Sequence, residues 1–184
     1  MLLRRLTPLL APLVATLWAP SAQAFERQWH LGATGSVVFP NDSRARGYGA
    51  GVYGSYGISD VFDVRAELKS SVHEQLAQRD AFAIHTGALG LCYKVDILEW
   101  IPYLGVRAGY FEQAGGLEYR EDARGVRRPL LPWGRRGGFV GGFAGFDYAF
   151  SRSFAAGVEV ATDQLLPDGF LSSLSLHAEY RWGY

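Results

Sequence analysis

The sequence predicts an all-β protein, an eight-stranded antiparallel up-and-down transmembrane β-barrel. Apolar and polar residues alternate with a period of two along eight stretches, which is the pattern of strands with two different faces. Each stretch is longer than a typical soluble strand of about five or six residues and approaches the roughly 9–11 residues of a tilted membrane-spanning strand. The connections alternate strictly between short and long, as in membrane barrels with short periplasmic turns and longer outer loops.

The first 24 residues have the layout of a secretory signal peptide. Arg4 and Arg5 form a short positive region, the stretch 6–18 is mostly apolar, and Ala22-Gln23-Ala24 is a small-residue cleavage pattern. The apolar stretch holds two prolines and is shorter than the roughly 20 residues of a membrane-spanning helix, which disfavours an anchor. We therefore expect a cleaved signal peptide over residues 1–24 and one barrel domain over residues 25–184.

Composition excludes several other classes of function. Without Arg4 and Arg5 the chain holds 16 basic and 18 acidic residues, so no basic field indicates a nucleic-acid partner. Cys92 is the single cysteine, and no intrachain disulfide can form. The sequence shows no metal-ligand cluster and no phosphate-binding glycine loop, so we expect no cofactor.

The predicted strands are joined by connections of two lengths. The lengths predict which end of each strand lies at the periplasmic end of the barrel and which lies at the outer end. Ser59-Asp60 joins the second strand to the third and Ser151-Arg152 joins the sixth to the seventh, whereas a long loop over 113–136 separates the fifth and sixth. With a periplasmic N-terminus, all long loops lie outside the cell. The strands cover residues 28–39, 47–58, 61–73, 81–94, 101–112, 137–150, 153–163 and 171–184.

The strands differ in how clearly their two faces separate. The third strand is the clearest, since "FDVRAELK" alternates apolar and charged residues at every position. The second and sixth, with "GYGAGVYG" and "GGFVGGFAG", carry glycines that suit crowded barrel walls. The fifth, sixth, seventh and eighth alternate around Arg107, Asp147, Glu159 and Glu179. In the fourth, "AFAIHTGALGLCYK", the sequence leaves the choice of faces open.

Charged side chains collect on one face of the strands, which we expect to line the lumen. Six acidic and four basic residues nearly balance, with one histidine in addition, so they can pair inside a narrow interior. A packed network of ion pairs is favoured over a path for ions. The predicted lumen network comprises Asp63, Arg65, Glu67, Lys69, Arg107, Asp147, Glu159, Asp163, His177, Glu179 and Arg181.

The opposite face is apolar and ends in aromatic residues, as expected for a lipid-facing surface with two interfacial girdles. A soluble lipocalin-like barrel, with apolar faces inward, is the alternative. The Gly- and Ser-rich charged face and the near absence of charge on the apolar face disfavour it. The predicted girdles are Trp29, Trp100, Trp182 and Tyr184 on the periplasmic side and Phe39, Tyr48, Tyr110 and Phe170 on the outer side.

The last predicted strand, "LSLHAEYRWGY", alternates apolar residues and ends in an aromatic. With the architecture above, it resembles the small outer-membrane β-barrel family of the OmpA transmembrane-domain and OmpX type. The resemblance implies a location in the outer membrane of a Gram-negative-type bacterium, in contact with its lipid and lipopolysaccharide. The sequence leaves the oligomeric state open, and we expect a monomer. It also implies recognition by the barrel-assembly machinery through Leu176, Tyr180, Trp182 and Tyr184, although Phe is the commoner last residue.

For activity, the sequence favours a structural or surface-interaction role without catalytic residues. A lipid-A-modifying enzyme is the first alternative, because some barrels of this size are enzymes. Lipid A deacylases carry a His-x-Ser pair in which His activates Ser, and none of the four histidines of the mature chain is followed by that pattern. A small pore is the second alternative.

The long loop is the best candidate for a specific interaction. Its arginines stand among Glu118, Glu121 and Asp122, and the stretch could form a hairpin above the membrane. We hypothesise contact with lipopolysaccharide phosphates or a surface ligand, against the alternative of a solvated polar loop. The candidate contact residues are Arg120, Arg124, Arg127, Arg128, Arg135 and Arg136.

Overall fold

The computed structural model describes residues 26–40, 45–75, 81–95, 97, 99–114, 119–121, 127–129, 136–166 and 169–183. The signal peptide predicted over residues 1–24 lies outside these ranges. The strands are β1 (Trp29–Pro40), β2 (Ala45–Gly57), β3 (Phe62–Gln75), β4 (Ala81–Lys94), β5 (Trp100–Ala114), β6 (Tyr119–Glu121), β7 (Arg127–Pro129), β8 (Arg136–Ser151), β9 (Phe154–Leu165) and β10 (Phe170–Trp182).

Eight of these strands close into one barrel, in the order β1-β10-β9-β8-β5-β4-β3-β2, and every neighbouring pair is antiparallel. The predicted eight-stranded up-and-down barrel is confirmed, with strand bounds at most two residues from those expected. The remaining strands, β6 and β7, form a separate two-stranded sheet within the long loop. No helix in the described part of the chain is long and apolar enough to span a bilayer.

Closure takes place where the first strand meets the last. The register of β1 and β10 runs from Trp29 opposite Trp182 to Pro40 opposite Leu171. Because lipid offers no hydrogen-bond partner to a free sheet edge, a sheet that crosses a membrane must close in this way. The ladder between β1 and β10 therefore removes the two edges that the other strands leave.

Burial alternates along the strands and separates two surfaces. Large apolar side chains such as Leu68, Val106 and Leu176 are more than 60% exposed on the outside, whereas charged side chains point into the barrel. The fourth strand, left open by its sequence, turns Ile84 and Cys92 inward and Leu89 outward. Its inward side chains are apolar at the outer end of the barrel, which explains why its two faces look alike in the sequence.

Aromatic side chains surround both ends of the exposed apolar surface. On the side that the sequence predicts to face the periplasm, the rings of Trp29 and Tyr56 lie 4.7 Å apart and those of Trp100 and Tyr148 lie 5.1 Å apart. Trp182 is also exposed there, and Tyr184 lies outside the described residues. The residues of the outer girdle are all exposed, namely Phe39, Tyr48, Tyr110 and Phe170.

Inside the barrel, glycines make room for two large side chains near the middle of the lumen. A Cβ atom on Gly32 would collide with the ring of Tyr53, and one on Gly145 would collide with Tyr103 and with the backbone of β9. Both tyrosines are buried. Glycine is required at these points because a barrel of eight strands has an interior just wide enough for its side chains.

Candidate functional site

The structure places all eleven residues of the predicted lumen network on the inward face of the barrel. Ten are buried, and Lys69 is half-buried with 11% of its side chain exposed. They separate into two groups, one in the middle of the lumen and one near its periplasmic end. We describe each group in turn, because their contacts decide what the lumen can do.

The central charge cluster holds three cations and three carboxylates. Arg107 donates two parallel hydrogen bonds to Asp163, from Nε at 2.9 Å and from Nη2 at 2.7 Å. Arg65 lies 2.6 Å from one oxygen of Glu159 and 3.0 Å from Glu67. Every charge therefore has an opposite partner, which is the condition for burying ions at tolerable cost. The cluster consists of Arg65, Glu67, Lys69, Arg107, Glu159 and Asp163.

The periplasmic charge cluster adds two residues that sequence reasoning missed. Lys94 lies 2.6 Å from Asp63, and His30 lies 3.3 Å from Glu179. Arg181 donates to Glu179 at 2.6 Å. Lys94 was missed because it ends the strand whose faces the sequence left open. The cluster consists of His30, Asp63, Lys94, Asp147, His177, Glu179 and Arg181.

Two buried tyrosines connect the clusters and leave almost no free volume between them. The hydroxyl of Tyr53 donates to Glu179 at 2.9 Å, and the guanidinium of Arg65 lies 3.9 Å from the centre of its ring. The hydroxyl of Tyr103 donates to Glu159 at 3.3 Å. A cavity of about 10 Å³ remains beside them, with room for about one water molecule.

An apolar cap closes the outer end of the lumen above the central charge cluster. The cap was not expected from the sequence, because its members come from six strands and meet only in the closed barrel. Ser71 and His73 lie next to it, with 2.8 Å between Ser71 Oγ and His73 Nε2, and the ring of His73 stacks on Phe82. The cap consists of Val38, Phe82, Ile84, Phe111, Phe139, Leu165 and Leu171.

The arginines of the long loop are partly brought together. In the hairpin of β6 and β7, Arg120 is the register partner of Arg128, and Glu121 is the partner of Arg127. Arg136 begins β8, is exposed and lies opposite Glu112 of β5. Two further candidate contacts, Arg124 and Arg135, lie outside the described residues.

The residues proposed for insertion lie on the outer face of the last strand. Leu176, Tyr180 and Trp182 are exposed, and the rings of Tyr180 and Trp182 stack 5.9 Å apart. Tyr184 lies outside the described residues. For metals, the described ranges hold no group of three or more His, Cys, Asp or Glu side chains that could bind an ion.

Solved structures show which barrels this architecture resembles. Neisserial surface protein A matches with a TM-score of 0.58 and 15% identity, over 83% of this chain and 95% of that one. The outer membrane protein OprG from Pseudomonas aeruginosa matches with a TM-score of 0.58 and 11% identity, over 88% and 99% of the two chains. The chain has the fold of the small eight-stranded outer-membrane β-barrels. No protein-family model and no curated protein sequence matches it.

The same fold also carries catalysis in at least one similar structure. The outer membrane enzyme PagL matches with a TM-score of 0.50 and 13% identity, over 80% of this chain and 97% of that one. At such identities the likeness describes the fold alone. A role for this chain must therefore be argued from its own side chains.

Proposed function

We propose that the protein is an integral outer-membrane barrel of a Gram-negative-type bacterium, with a structural or surface-interaction role. Its loop between β5 and β8 presents an arginine-rich hairpin to lipopolysaccharide or another anionic surface ligand. The observation that carries this proposal is the combination of a closed barrel, apolar outside and charged inside, with a hairpin that pairs arginines. The fold of the similar outer-membrane barrels supports the location.

The register of the hairpin supports an anionic ligand. Arg120 and Arg128 are directly opposite each other, and like charges in that position destabilise an antiparallel pair. A phosphate group bound between them would remove the repulsion, since guanidinium groups bind phosphate through paired hydrogen bonds. Lipopolysaccharide phosphates are the anions that we expect this hairpin to meet at the outer surface.

Replacing Arg120 and Arg128 by Ser together tests the ligand. We expect the refolded full-length barrel to bind purified lipopolysaccharide at least about tenfold more weakly, because two charge-assisted contacts are lost. Arg152→Ser is the matched control, since Arg152 is exposed in the turn at the opposite end of the barrel. Equal binding by the double variant and the control would refute the hairpin as the contact site.

We also propose that the barrel is a monomer inserted by the barrel-assembly machinery through the outward residues of β10, namely Leu176, Tyr180, Trp182 and Tyr184. A small pore is disfavoured as the main role. The two charge clusters and the apolar cap fill the lumen, and the cavity of about 10 Å³ is too small for a hydrated ion.

A further inference from the structure

His73 is buried at the outer end of the lumen, beside the apolar cap. None of its surface is exposed to solvent, and its ring stacks on Phe82 with 4.8 Å between the ring centres and 9° between the ring planes. On β2, a Cβ atom on Gly47 would collide with the imidazole, so that strand also packs directly against the ring. Phe82 and Gly47 are the two register partners of His73. The imidazole is therefore enclosed between its neighbouring strands in apolar surroundings.

Among the described residues, only one nitrogen of the His73 ring has a hydrogen-bond partner. Nε2 lies 2.8 Å from Ser71 Oγ, and the Ser71 hydroxyl lies 3.4 Å from the carbonyl oxygen of Ile84. Nδ1 is buried and has no partner in the described part of the chain. A neutral ring is compatible with this arrangement, since Nε2–H donates to Ser71, Ser71 donates to Ile84, and Nδ1 carries no hydrogen. A protonated ring would bury a charged N–H without an acceptor, which is costly.

The described strands present no carboxylate to the His73 ring at this level of the lumen. Inward residues here are glycines on β2, apolar side chains on β4, and a phenyl ring and an amide on β5, and the remaining strands supply apolar residues of the cap. The first inward charges below are Lys69 of β3, itself a cation, and Asp163 of β9, which already accepts two hydrogen bonds from an arginine. Glu74 and Arg46 adjoin the site in sequence but are exposed on the outward face.

The other three histidines of the mature chain lie in different environments. His30 lies 3.3 Å from Glu179 and His177 lies 2.6 Å from Asp147, so each has a carboxylate that can pair with an added proton. His85 is exposed on the outward face, where a charged ring can turn towards the headgroups. Within the described part of the chain, the histidine beside the cap is thus the one whose protonation the folded barrel does not compensate.

The stack with Phe82 does not replace a carboxylate. The face of a phenyl ring attracts a cation only weakly, and it offers no acceptor to an N–H that lies in the plane of a parallel imidazole. Water, by contrast, hydrates an imidazolium ion fully. A proton on Nδ1 therefore favours a conformation in which the His73 ring has left the cap.

We propose that His73 is an acid-sensitive latch of the apolar cap, which keeps the outer mouth of the barrel closed at neutral pH and opens it in acid. An imidazole in water is mostly neutral above about pH 6.5 and mostly protonated below it. When the medium supplies a proton to Nδ1, the ring moves into water and its contacts with Phe82 and Ser71 are lost. The open form binds one proton more than the closed form, so a fall in pH shifts the equilibrium towards the open form.

The opening is confined to the outer mouth because His73 and Phe82 stand near the ends of their strands. β3 ends at Gln75 and β4 begins at Ala81, and strand ends open locally at a lower free energy than the strand centres. The charge clusters lie deeper and keep their ion pairs. Since β5 and β8 contribute to the same cap and carry the arginine hairpin between them, the latch makes the outer surface responsive to external pH. That the proton comes from outside the cell rests on the proposed outer-membrane placement.

Hydrogen–deuterium exchange of the refolded full-length barrel tests the proposal. Exchange is compared at about pH 7.5 and about pH 5, a range in which free imidazole titrates and most carboxylates stay ionised, after correction for the intrinsic pH dependence of exchange. We expect amides at the end of β3 and the start of β4 to exchange at least about tenfold faster at the lower pH, with little change in the middle of either strand. His73→Phe keeps a stacked ring that binds no proton and should abolish the acceleration. His73→Gln is a second variant without a titrating group, for the case that the first does not fold.

Controls separate the latch from the fold and from the proposed function. His85→Gln removes an exposed histidine of the neighbouring strand and should leave the acid response intact, and heat-modifiable gel migration verifies that each variant folds. Equal exchange of the wild type at both pH values, the same acceleration in the His73 variants, or uniform acceleration in all strands would overturn the proposal. A barrel with the expected acid response that fails to bind lipopolysaccharide would support the latch and contradict the hairpin contact alone.

Discussion

At the scale of single residues, the lumen shows how many partners a buried charge needs. The guanidinium of Arg65 lies 2.6 Å from Glu159, 3.0 Å from Glu67 and 3.9 Å from the ring centre of Tyr53. Arg107 completes the same group by its paired bonds to Asp163. Because each cation contacts two or more acceptors, removal of one cation leaves several carboxylates undercompensated in an interior of low dielectric.

Replacing Arg107 by Met should therefore destabilise the barrel strongly. The variant loses the paired hydrogen bonds to Asp163 and the 3.1 Å contact with Glu67. We expect the free energy of unfolding to fall by about 3–5 kcal/mol, read as a lower urea midpoint of the refolded barrel in detergent micelles. Adding Asp163→Asn should recover part of the loss, since one uncompensated charge disappears.

Arg152→Met is the control for this measurement, because Arg152 is exposed in a periplasmic turn. Its effect should stay within about 0.5 kcal/mol. An Arg107→Met barrel as stable as this control would show that the central charge cluster contributes nothing net to stability.

At the scale of elements, each membrane strand has one face towards the lumen and one towards lipid. A substitution on the inner face disturbs the packed charges, whereas a charged substitution on the outer face must be buried in hydrocarbon. Val106 is 63% exposed near the middle of β5, where the outward surface meets hydrocarbon. Ala114 lies on the same face at the outer end of the strand. The two positions differ in depth and share strand and face, so they form a matched pair.

Val106→Arg should cost about 2–4 kcal/mol of unfolding free energy, and Ala114→Arg only about 0–1 kcal/mol, because an arginine near the interface keeps its charge hydrated. Unfolding of both variants in lipid vesicles measures the difference. Equal costs at the two positions would mean that Val106 does not lie at greater membrane depth than Ala114.

The strands also show how far the sequence predicts the structure. The third strand could be assigned residue by residue, because "FDVRAELK" places charge and apolar surface on opposite faces. The fourth could not, because its inward residues belong to the apolar cap at one end and to the periplasmic charge cluster at the other. The apolar cap is formed by residues that the register between strands brings together, and spacing within one strand carries no signal for it.

At the scale of the whole molecule, the lumen of the barrel is blocked in two different ways. The apolar cap seals the outer end, and the two charge clusters fill the middle and the periplasmic end. The apolar cap and the charge clusters each contain residues from many strands, so both depend on the hydrogen-bonded ladder between β1 and β10. The lumen is therefore a packed core, and the surfaces available for interaction are the outer hairpin and the lipid-facing side.

The apolar cap and the charge clusters block the lumen independently of each other, and this arrangement predicts that the barrel does not conduct ions. The wild-type barrel should be silent in a planar bilayer, since the charge clusters and the apolar cap leave only a cavity of about 10 Å³, which is too small for a hydrated ion. The double variant Phe111→Ala and Phe139→Ala removes two rings of the cap but should also remain silent, because the paired charges below still occupy the lumen. Stepwise single-channel currents in the wild type would overturn this account of the interior. Currents in the cap variant alone would show that the cap, and not the charge clusters, is the barrier.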